Sequence, residues 1–167
     1  MESVHEFFFQ IAPLMPPDFW WVTAAVIVIL AATAIIDAFT ALVPDALILS
    51  GLIAVTAAQG FGLSWDIAAL HLRHAIAAGI VIWAVNWLWF RFFGRDALGM
   101  GDAKWTMLAV ACFGSAAALF AWGCGAVVAV IFIALMRVIR HRILHVTFAP
   151  FLLIGLCVGV YWLRFAE

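Results

Sequence analysis

Two aspartates stand at the edges of long apolar stretches, where ionisable residues are rare. Asp37 lies near the end of the first stretch, in AIIDAFTALVPD, and Asp102 lies at the start of a later one, in LGMGDAKW. Ionisable side chains in or beside apolar segments are costly and indicate a functional site by default. Two carboxylates that meet in a low-dielectric cleft do not both ionise easily, so one stays charged while the other keeps its proton. Such a pair can activate water and polarise a carbonyl group, which is the chemistry of an aspartyl protease and requires no metal or cofactor.

Each aspartate also has a simpler interpretation, as a helix cap or as a side chain that reaches the lipid headgroups. The residues around Asp102 favour a functional role. Gly99 and Gly101 permit positive φ and allow another chain to approach closely. We therefore interpret Gly99-Met100-Gly101-Asp102 as a flexible turn that can open to admit an extended peptide.

Three further charged residues lie near the two motifs. Lys104 is either a headgroup anchor, which we favour, or an electrostatic partner of the site. Asp45 follows a proline and is interpreted as the cap of the second helix. Asp96 is a rival acid in the same loop as Asp102, and we interpret it as a solvated loop residue.

The composition predicts a membrane protein. Of the 167 residues, 69% are hydrophobic and 10% are charged, whereas soluble domains are about 45–50% apolar and roughly 25% charged. A soluble domain of this size keeps much of its surface in water, so a lipid bilayer is the solvent that fits. The net charge of -1 argues against a nucleic-acid partner.

Six apolar segments are predicted to be membrane-spanning helices. They cover residues 19–36, 46–60, 75–93, 103–113, 116–136 and 146–163. The second and fourth are short, and such elements are tolerated at membrane depth only where protein or water surrounds them. The predicted fold is an all-α polytopic membrane protein, with an N-terminal interfacial segment at 1–18 and a membrane-embedded peptidase domain at 19–167. The N-terminal segment lacks the basic start and the cleavage site of a secretory signal.

The basic residues predict the orientation of these spans. With six spans, the 1–2, 3–4 and 5–6 loops share one face. Six of the eight basic residues lie in those loops: Arg91, Arg95, Lys104, Arg137, Arg140 and Arg142. Because only Arg73 and Arg164 lie on the other face, the three loops should be cytoplasmic and both termini periplasmic. Both aspartates then lie at the cytoplasmic boundary, and Thr33 and Thr106, one turn away from them, should face protein and not lipid.

The two aspartate motifs resemble those of a known family. Gly99-Met100-Gly101-Asp102-Ala103-Lys104 matches the GxGDxK motif of the type IV prepilin peptidases, which belong to the GxGD membrane aspartyl proteases. The segment DAFTALVPD at residues 37–45 resembles the family's other motif, in which a proline, here Pro44, lies seven residues after the aspartate. The segment FAPF at residues 148–151 is similar to a proline-containing element that opens the family's last span. The resemblance covers roughly residues 20–163.

The resemblance implies removal of the basic leader from pilin precursors at the cytoplasmic face of the bacterial inner membrane. Asp37 and Asp102 would be the catalytic pair, with no cofactor. Four further residues would bind substrate or shape the loops: Gly99, Gly101, Lys104 and Pro44. Long members of the family carry a domain with paired CxxC motifs, which this chain lacks, so it resembles the short, peptidase-only kind of tight-adherence (Flp) pilus systems. The expected partners are a prepilin peptide and the bilayer; the oligomeric state stays open.

Two other classes of function are compatible with membrane aspartates. A proton-coupled transporter would use them as a relay. A relay favours acids spread through the membrane depth and matching helix interruptions in two halves, neither of which is evident. A non-catalytic assembly subunit with the same fold is distinguished only by an assay.

The remaining polar and small residues are predicted to be structural. Four histidines fall in predicted connecting segments and have no acid or thiolate to complete a metal site: His71, His74, His141 and His145. Asn86 is expected to bond a neighbouring helix, and Gly155 and Gly159 to pack two helices closely. The nine tryptophans are interpreted mostly as interfacial and lipid-contacting residues.

Overall fold

The protein is an all-α helical bundle. The computed structural model describes residues 17–94, 99–139 and 147–165. Within these ranges 92% of the residues are helical and no strand occurs, which confirms the predicted fold class. A short 3₁₀ helix, Pro17–Phe19, precedes five α-helices: α1 (Trp20–Thr40), α2 (Asp45–Gly62), α3 (Trp65–Phe93), α4 (Met100–Val138) and α5 (Ala149–Phe165).

Helix α4 reverses direction at Gly114. This residue has φ 85° and ψ 168°, which is non-helical. The indole Nε1–H of Trp122 donates a hydrogen bond of 3.0 Å to the Thr106 hydroxyl, 16 residues earlier. In a straight helix these residues would be about 24 Å apart. The chain therefore folds back, and α4 has a first half (residues 100–113) and a second half (residues 115–138) that lie side by side.

The helices have the lengths and composition of membrane spans. Within the described residues, α1 to α4 are each long and apolar enough to cross a bilayer, and α5 contains a shorter apolar stretch, Ala149–Tyr161. Large apolar side chains such as Phe39, Phe61 and Phe92 are exposed on the outer surface. A bilayer accounts for an apolar surface of this extent. Every predicted segment corresponds to a helix or to one half of α4, while the count of six crossings stays a prediction.

The first half of α4 lies at the centre of the bundle. Trp105 and Leu108 are completely buried. The Trp105 indole donates to the Leu30 carbonyl of α1 at 3.3 Å, and the Gln59 amide of α2 donates to the Ala111 carbonyl at 3.0 Å. Packed protein therefore surrounds the short fourth segment, which is the condition under which such a segment is tolerated at membrane depth. An apolar groove between α1 and α5 lies beside its last residue, Phe113.

Helix α5 packs directly on the second half of α4 through glycines. A Cβ atom on Gly159 would lie 2.7 Å from the Phe120 Cβ, and one on Gly155 would collide with the Ala121 carbonyl. One on Gly125 would lie 2.8 Å from the Phe151 carbonyl oxygen. The predicted close packing at Gly155 and Gly159 is confirmed, because only small residues let the two backbones approach this far.

The start of α3 differs from its prediction. The helix begins at Trp65 instead of residue 75, because the Ser64 hydroxyl accepts a 3.2 Å hydrogen bond from the Ile67 N–H and caps it. His71 and His74 therefore lie inside a helix, and their assignment to a connecting segment was wrong. His141 and His145 lie outside the described residues.

Candidate active site

Three helix ends meet at one end of the bundle. Asp37 lies in the last turn of α1, Asp102 in the first turn of α4, and Ala149 is the first residue of α5. The Asp37 and Asp102 carboxylates are close enough to interact electrostatically. The backbone amide of Ala149 is a hydrogen-bond partner of the Asp37 carboxylate. The reversal at Gly114 makes this convergence possible, because it returns the chain to the end at which α4 began.

Asp102 is buried and partly used as a helix cap. Its side chain is 6% exposed. Oδ2 accepts a hydrogen bond of 3.1 Å from the Gly99 N–H, and the Asp102 N–H donates to the Gly99 carbonyl at 3.1 Å. This reciprocal pair stabilises the helix start in the manner of a capping box. The capping interpretation is therefore correct for Oδ2. The other carboxylate oxygen, Oδ1, has lone pairs of its own that this cap does not use.

Asp37 is held between the end of one helix and the start of another. It is 8% exposed. Helix α1 ends just after it, where Ala41 has φ 53° and donates its N–H to the Asp37 carbonyl at 2.8 Å. The Asp37 carboxylate meets Ala149 at the N-terminus of α5, where unpaired N–H groups favour an acidic partner. The FAPF segment thus supplies a donor to Asp37.

Gly101 permits a close approach and lies in the first turn of α4 without positive φ. Gly99 has φ -73°, Met100 begins α4, and no residue from 99 to 102 has positive φ. The expectation of positive φ at these glycines was therefore wrong. A Cβ atom on Gly101 would lie 2.5 Å from Val43 Cγ2 and 3.8 Å from Asp37 Oδ1. The absence of a side chain lets the first turn of α4 contact the α1–α2 loop and Asp37, so the expected close approach is present.

One buried threonine lies a helical turn away from each aspartate, Thr33 from Asp37 and Thr106 from Asp102. Thr33 is completely buried and its hydroxyl donates to the Leu30 carbonyl at 3.0 Å. The Thr106 hydroxyl, also buried, donates to the Asp102 carbonyl at 2.7 Å. The prediction that both face protein and not lipid is confirmed.

Lys104 forms an ion pair with Asp45. The Lys104 Nζ contacts Asp45 Oδ1, and the two side chains are 35% and 77% exposed. Lys104 thus has an electrostatic partner in Asp45, which is not one of the two buried aspartates. Asp45 is the first residue of α2 and Pro44 is its N-cap residue, with no side-chain cap bond. The residues on either side of Pro44 are consequently both joined to α4: Val43 of the α1–α2 loop lies against Gly101, and Asp45, at the start of α2, pairs with Lys104.

Sequence reasoning missed two buried residues that hold the first half of α4 in place. Trp105 was grouped with interfacial tryptophans although it is fully buried. Its position three residues after Asp102, beside Thr106 on the same helical face, is the signal that would have identified it. Gln59 was not singled out within its apolar stretch. The rival acid Asp96 lies outside the described residues.

Comparison with known proteins assigns the chain to a family. A model of the type IV leader peptidase family matches residues 24–139, a range that includes Asp37 and the Gly99–Lys104 motif and ends before α5. No match was found among curated proteins or solved structures. The matched range covers well over half of the chain. This protein, with its apolar helices and its paired aspartates, therefore belongs to the type IV leader peptidase family.

Proposed function

We propose that the protein is a membrane-embedded aspartic endopeptidase. Its substrates are the precursors of type IV pilins of the tight-adherence (Flp) kind, and it removes their leader peptides at the cytoplasmic face of the bacterial inner membrane. The observation that carries the proposal is the convergence of Asp37 and Asp102, both buried, at one end of the bundle. Membership of the leader peptidase family supports the peptidase class.

The chemistry follows from two acids that share one proton. The charged carboxylate takes a proton from water, and the water oxygen attacks the scissile carbonyl carbon. The protonated carboxyl donates to the carbonyl oxygen as it gains negative charge. The tetrahedral intermediate collapses when the C–N bond breaks and the departing amine takes up the proton that the first carboxylate removed from water. One hydroxyl of the intermediate returns its proton to the second carboxylate, which restores the starting state of the pair. The backbone donors Gly99 and Ala149 hold the two side chains in place during these steps.

The position of the pair suits a bond at the membrane boundary. Asp37 and Asp102 lie in terminal turns of apolar helices, and the ends of such helices are expected where the bilayer meets water. A peptide bond within a helix is protected by the hydrogen bonds and packing of that helix. The substrate must therefore be extended at the bond that is cut. In a precursor whose leader precedes an apolar membrane segment, the junction between the leader and that segment lies at the bilayer surface, level with the two aspartates.

A proton relay is the competing function, and the distribution of acids disfavours it. Among the described residues, Asp37 and Asp102 are the only buried acids. Both lie at one end of the bundle, whereas a relay needs ionisable groups through the membrane depth.

The test is cleavage of a prepilin by the purified protein in detergent, with the product mass measured. Asp37→Asn and Asp102→Asn keep the shape of the side chain and remove its charge, so each should abolish cleavage while the melting temperature changes little. Asp66→Asn, on the exposed first turn of α3, is the matched control and should retain activity. Turnover near the wild-type level in either active-site variant would refute the dyad and make Asp96 the next acid to test. A wild-type protein that leaves the precursor intact would favour a non-catalytic subunit.

A further inference from the structure

Trp122 is hydrogen-bonded to Thr106, the residue whose hydroxyl binds the backbone carbonyl of Asp102. It lies in the second half of α4, and its indole N–H donates to the Thr106 hydroxyl at 3.0 Å. That hydroxyl in turn donates to the Asp102 carbonyl at 2.7 Å. An indole has one donor and a hydroxyl has one donor and two acceptor lone pairs. The Thr106 hydroxyl is therefore oriented from both sides, and the chain of bonds runs from Trp122 to the backbone of Asp102.

The Trp122 side chain also contacts Phe148, the neighbour of the residue that donates to the Asp37 carboxylate. The Trp122 ring packs on Phe148 with ring centroids 5.1 Å apart and planes inclined by 50°. Phe148 immediately precedes Ala149, whose backbone amide is the partner of the Asp37 carboxylate. The Phe148 carbonyl also accepts from the Leu152 N–H at 3.1 Å, which fixes it to the first turn of α5.

We propose that Trp122 is a positioning residue that sets the spacing of the two aspartates. The indole N–H locates the first turn of α4 and the ring face locates the start of α5. This inference rests on the proposed proteolytic function, and it assigns a role to a residue outside both aspartate motifs. Catalytic groups must be held within about 0.5 Å of their productive geometry, so a small shift of either helix start is enough to lower the rate.

The test separates the hydrogen bond from the packing. Trp122→Phe keeps an aromatic ring on Phe148 and removes the N–H, while Thr106→Val removes the hydroxyl at nearly constant shape. Each should lower kcat about tenfold with KM changed by no more than about twofold, since the substrate itself is not contacted. The double variant should be no worse than either single variant, because both break one chain of bonds. Thr106→Ser, which restores the hydroxyl, should recover most of the loss.

A matched control removes a tryptophan elsewhere. Trp87 is exposed on α3, and Trp87→Phe should leave kcat and the melting temperature unchanged. Unchanged kcat in Trp122→Phe overturns the proposal. Additive losses in the double variant that follow equal losses of melting temperature also overturn it, because they indicate packing alone.

A second measurement does not depend on cleavage. The indole ¹H–¹⁵N resonance of Trp122, identified by its absence in Trp122→Phe, should move in Thr106→Val and in Asp102→Asn but not in Trp87→Phe. A resonance insensitive to both changes overturns the link between Trp122 and Asp102. Failure of the wild-type protein to cleave any prepilin instead refutes the proposed function, and the resonance still decides whether the link exists.

Discussion

Gly101 faces Asp37: a Cβ atom on the glycine would lie 3.8 Å from the aspartate Oδ1, at ordinary contact distance. The same Cβ would lie 2.5 Å from Val43 Cγ2, in the loop that follows α1. The first turn of α4 thus faces the partner aspartate, and a methyl group on Gly101 would fill the space between them. Because Asp102 is the next residue, any displacement of Gly101 also displaces the second carboxylate from the first.

Gly101→Ala should therefore lower activity far more than it lowers stability. The added methyl group forces Val43 and α4 apart at a cost of about 1–3 kcal/mol. The better helix propensity of alanine offsets about 1 kcal/mol of this cost. We expect a small loss of melting temperature in detergent and a loss of most of the cleavage activity, measured as kcat on a prepilin.

Two further variants identify the cause of the Gly101→Ala effect. Val43→Ala removes the atom that the new methyl group meets, so the double variant should regain activity relative to Gly101→Ala. Gly123→Ala is the neutral control, since nothing lies within 4 Å of a Cβ at that position. A double variant as inactive as Gly101→Ala would refute the steric explanation.

Gly114→Ala should be more destabilising than alanine at Gly94 or at Gly123. Its φ of 85° and ψ of 168° lie in a region that only glycine adopts freely, and a side chain there costs about 1–3 kcal/mol. Gly94, with φ 67°, is left-handed and has open space around it, so Gly94→Ala should cost about 1 kcal/mol. In thermal unfolding, the melting temperature of Gly114→Ala should be lower than that of Gly94→Ala, and both should be lower than that of Gly123→Ala. Equal melting temperatures for Gly114→Ala and Gly123→Ala would contradict the reversal.

The helices were predictable where apolar runs are uninterrupted, and less so where polar residues lie inside a helix. The boundary between the fourth and fifth segments was predicted at the position where the chain reverses, because Gly114 and Ser115 interrupt an apolar run. The first turns of α3 were missed since His71, Arg73 and His74 make that stretch polar. Helix capping by Ser64 decides the start there, and its strength is not visible in hydropathy.

The two aspartates were predictable from the sequence, whereas the residues that bind and position the site were not. Asp37 and Asp102 stand out because acids are rare in an apolar chain. The partner of Lys104 lies 59 residues away, so the pair depends on how α2 and α4 pack. The donor at Ala149 is a backbone amide, which any residue other than proline supplies, and no side-chain pattern marks it.

The Asp45–Lys104 pair should matter more for activity than for stability. Exposed ion pairs contribute about 0–1 kcal/mol, so Asp45→Asn and Lys104→Gln should each shift the melting temperature very little. The pair nonetheless joins the start of α2 to the helix that carries Asp102. We expect each single change to lower kcat severalfold, and Asp45→Lys combined with Lys104→Asp to recover part of the loss.

The salt dependence gives an independent measure of the same pair. Added salt screens exposed charges, so the wild-type rate should fall toward that of Asp45→Asn as ionic strength rises. Asp66→Asn again serves as the control, because Asp66 lies in the first turn of α3, away from the aspartates. If the reversed pair is less active than both single variants, Lys104 acts on substrate or lipid and not through Asp45.

The aspartate end of the bundle should face the cytoplasm. Leu42 follows α1 and Met100 begins α4, so both exposed side chains lie at the aspartate end, whereas Leu63 lies between α2 and α3 at the opposite end. Single cysteines are introduced at these positions after Cys112, Cys124 and Cys157 are replaced by alanine. An impermeant maleimide should then label Leu42→Cys and Met100→Cys in inverted membrane vesicles, and Leu63→Cys in intact spheroplasts, because the basic residues favour the cytoplasmic face. Labelling of Leu42→Cys and Met100→Cys from opposite sides would contradict the shared end itself. Labelling of both from outside would keep the shared end and refute cleavage on the cytoplasmic side.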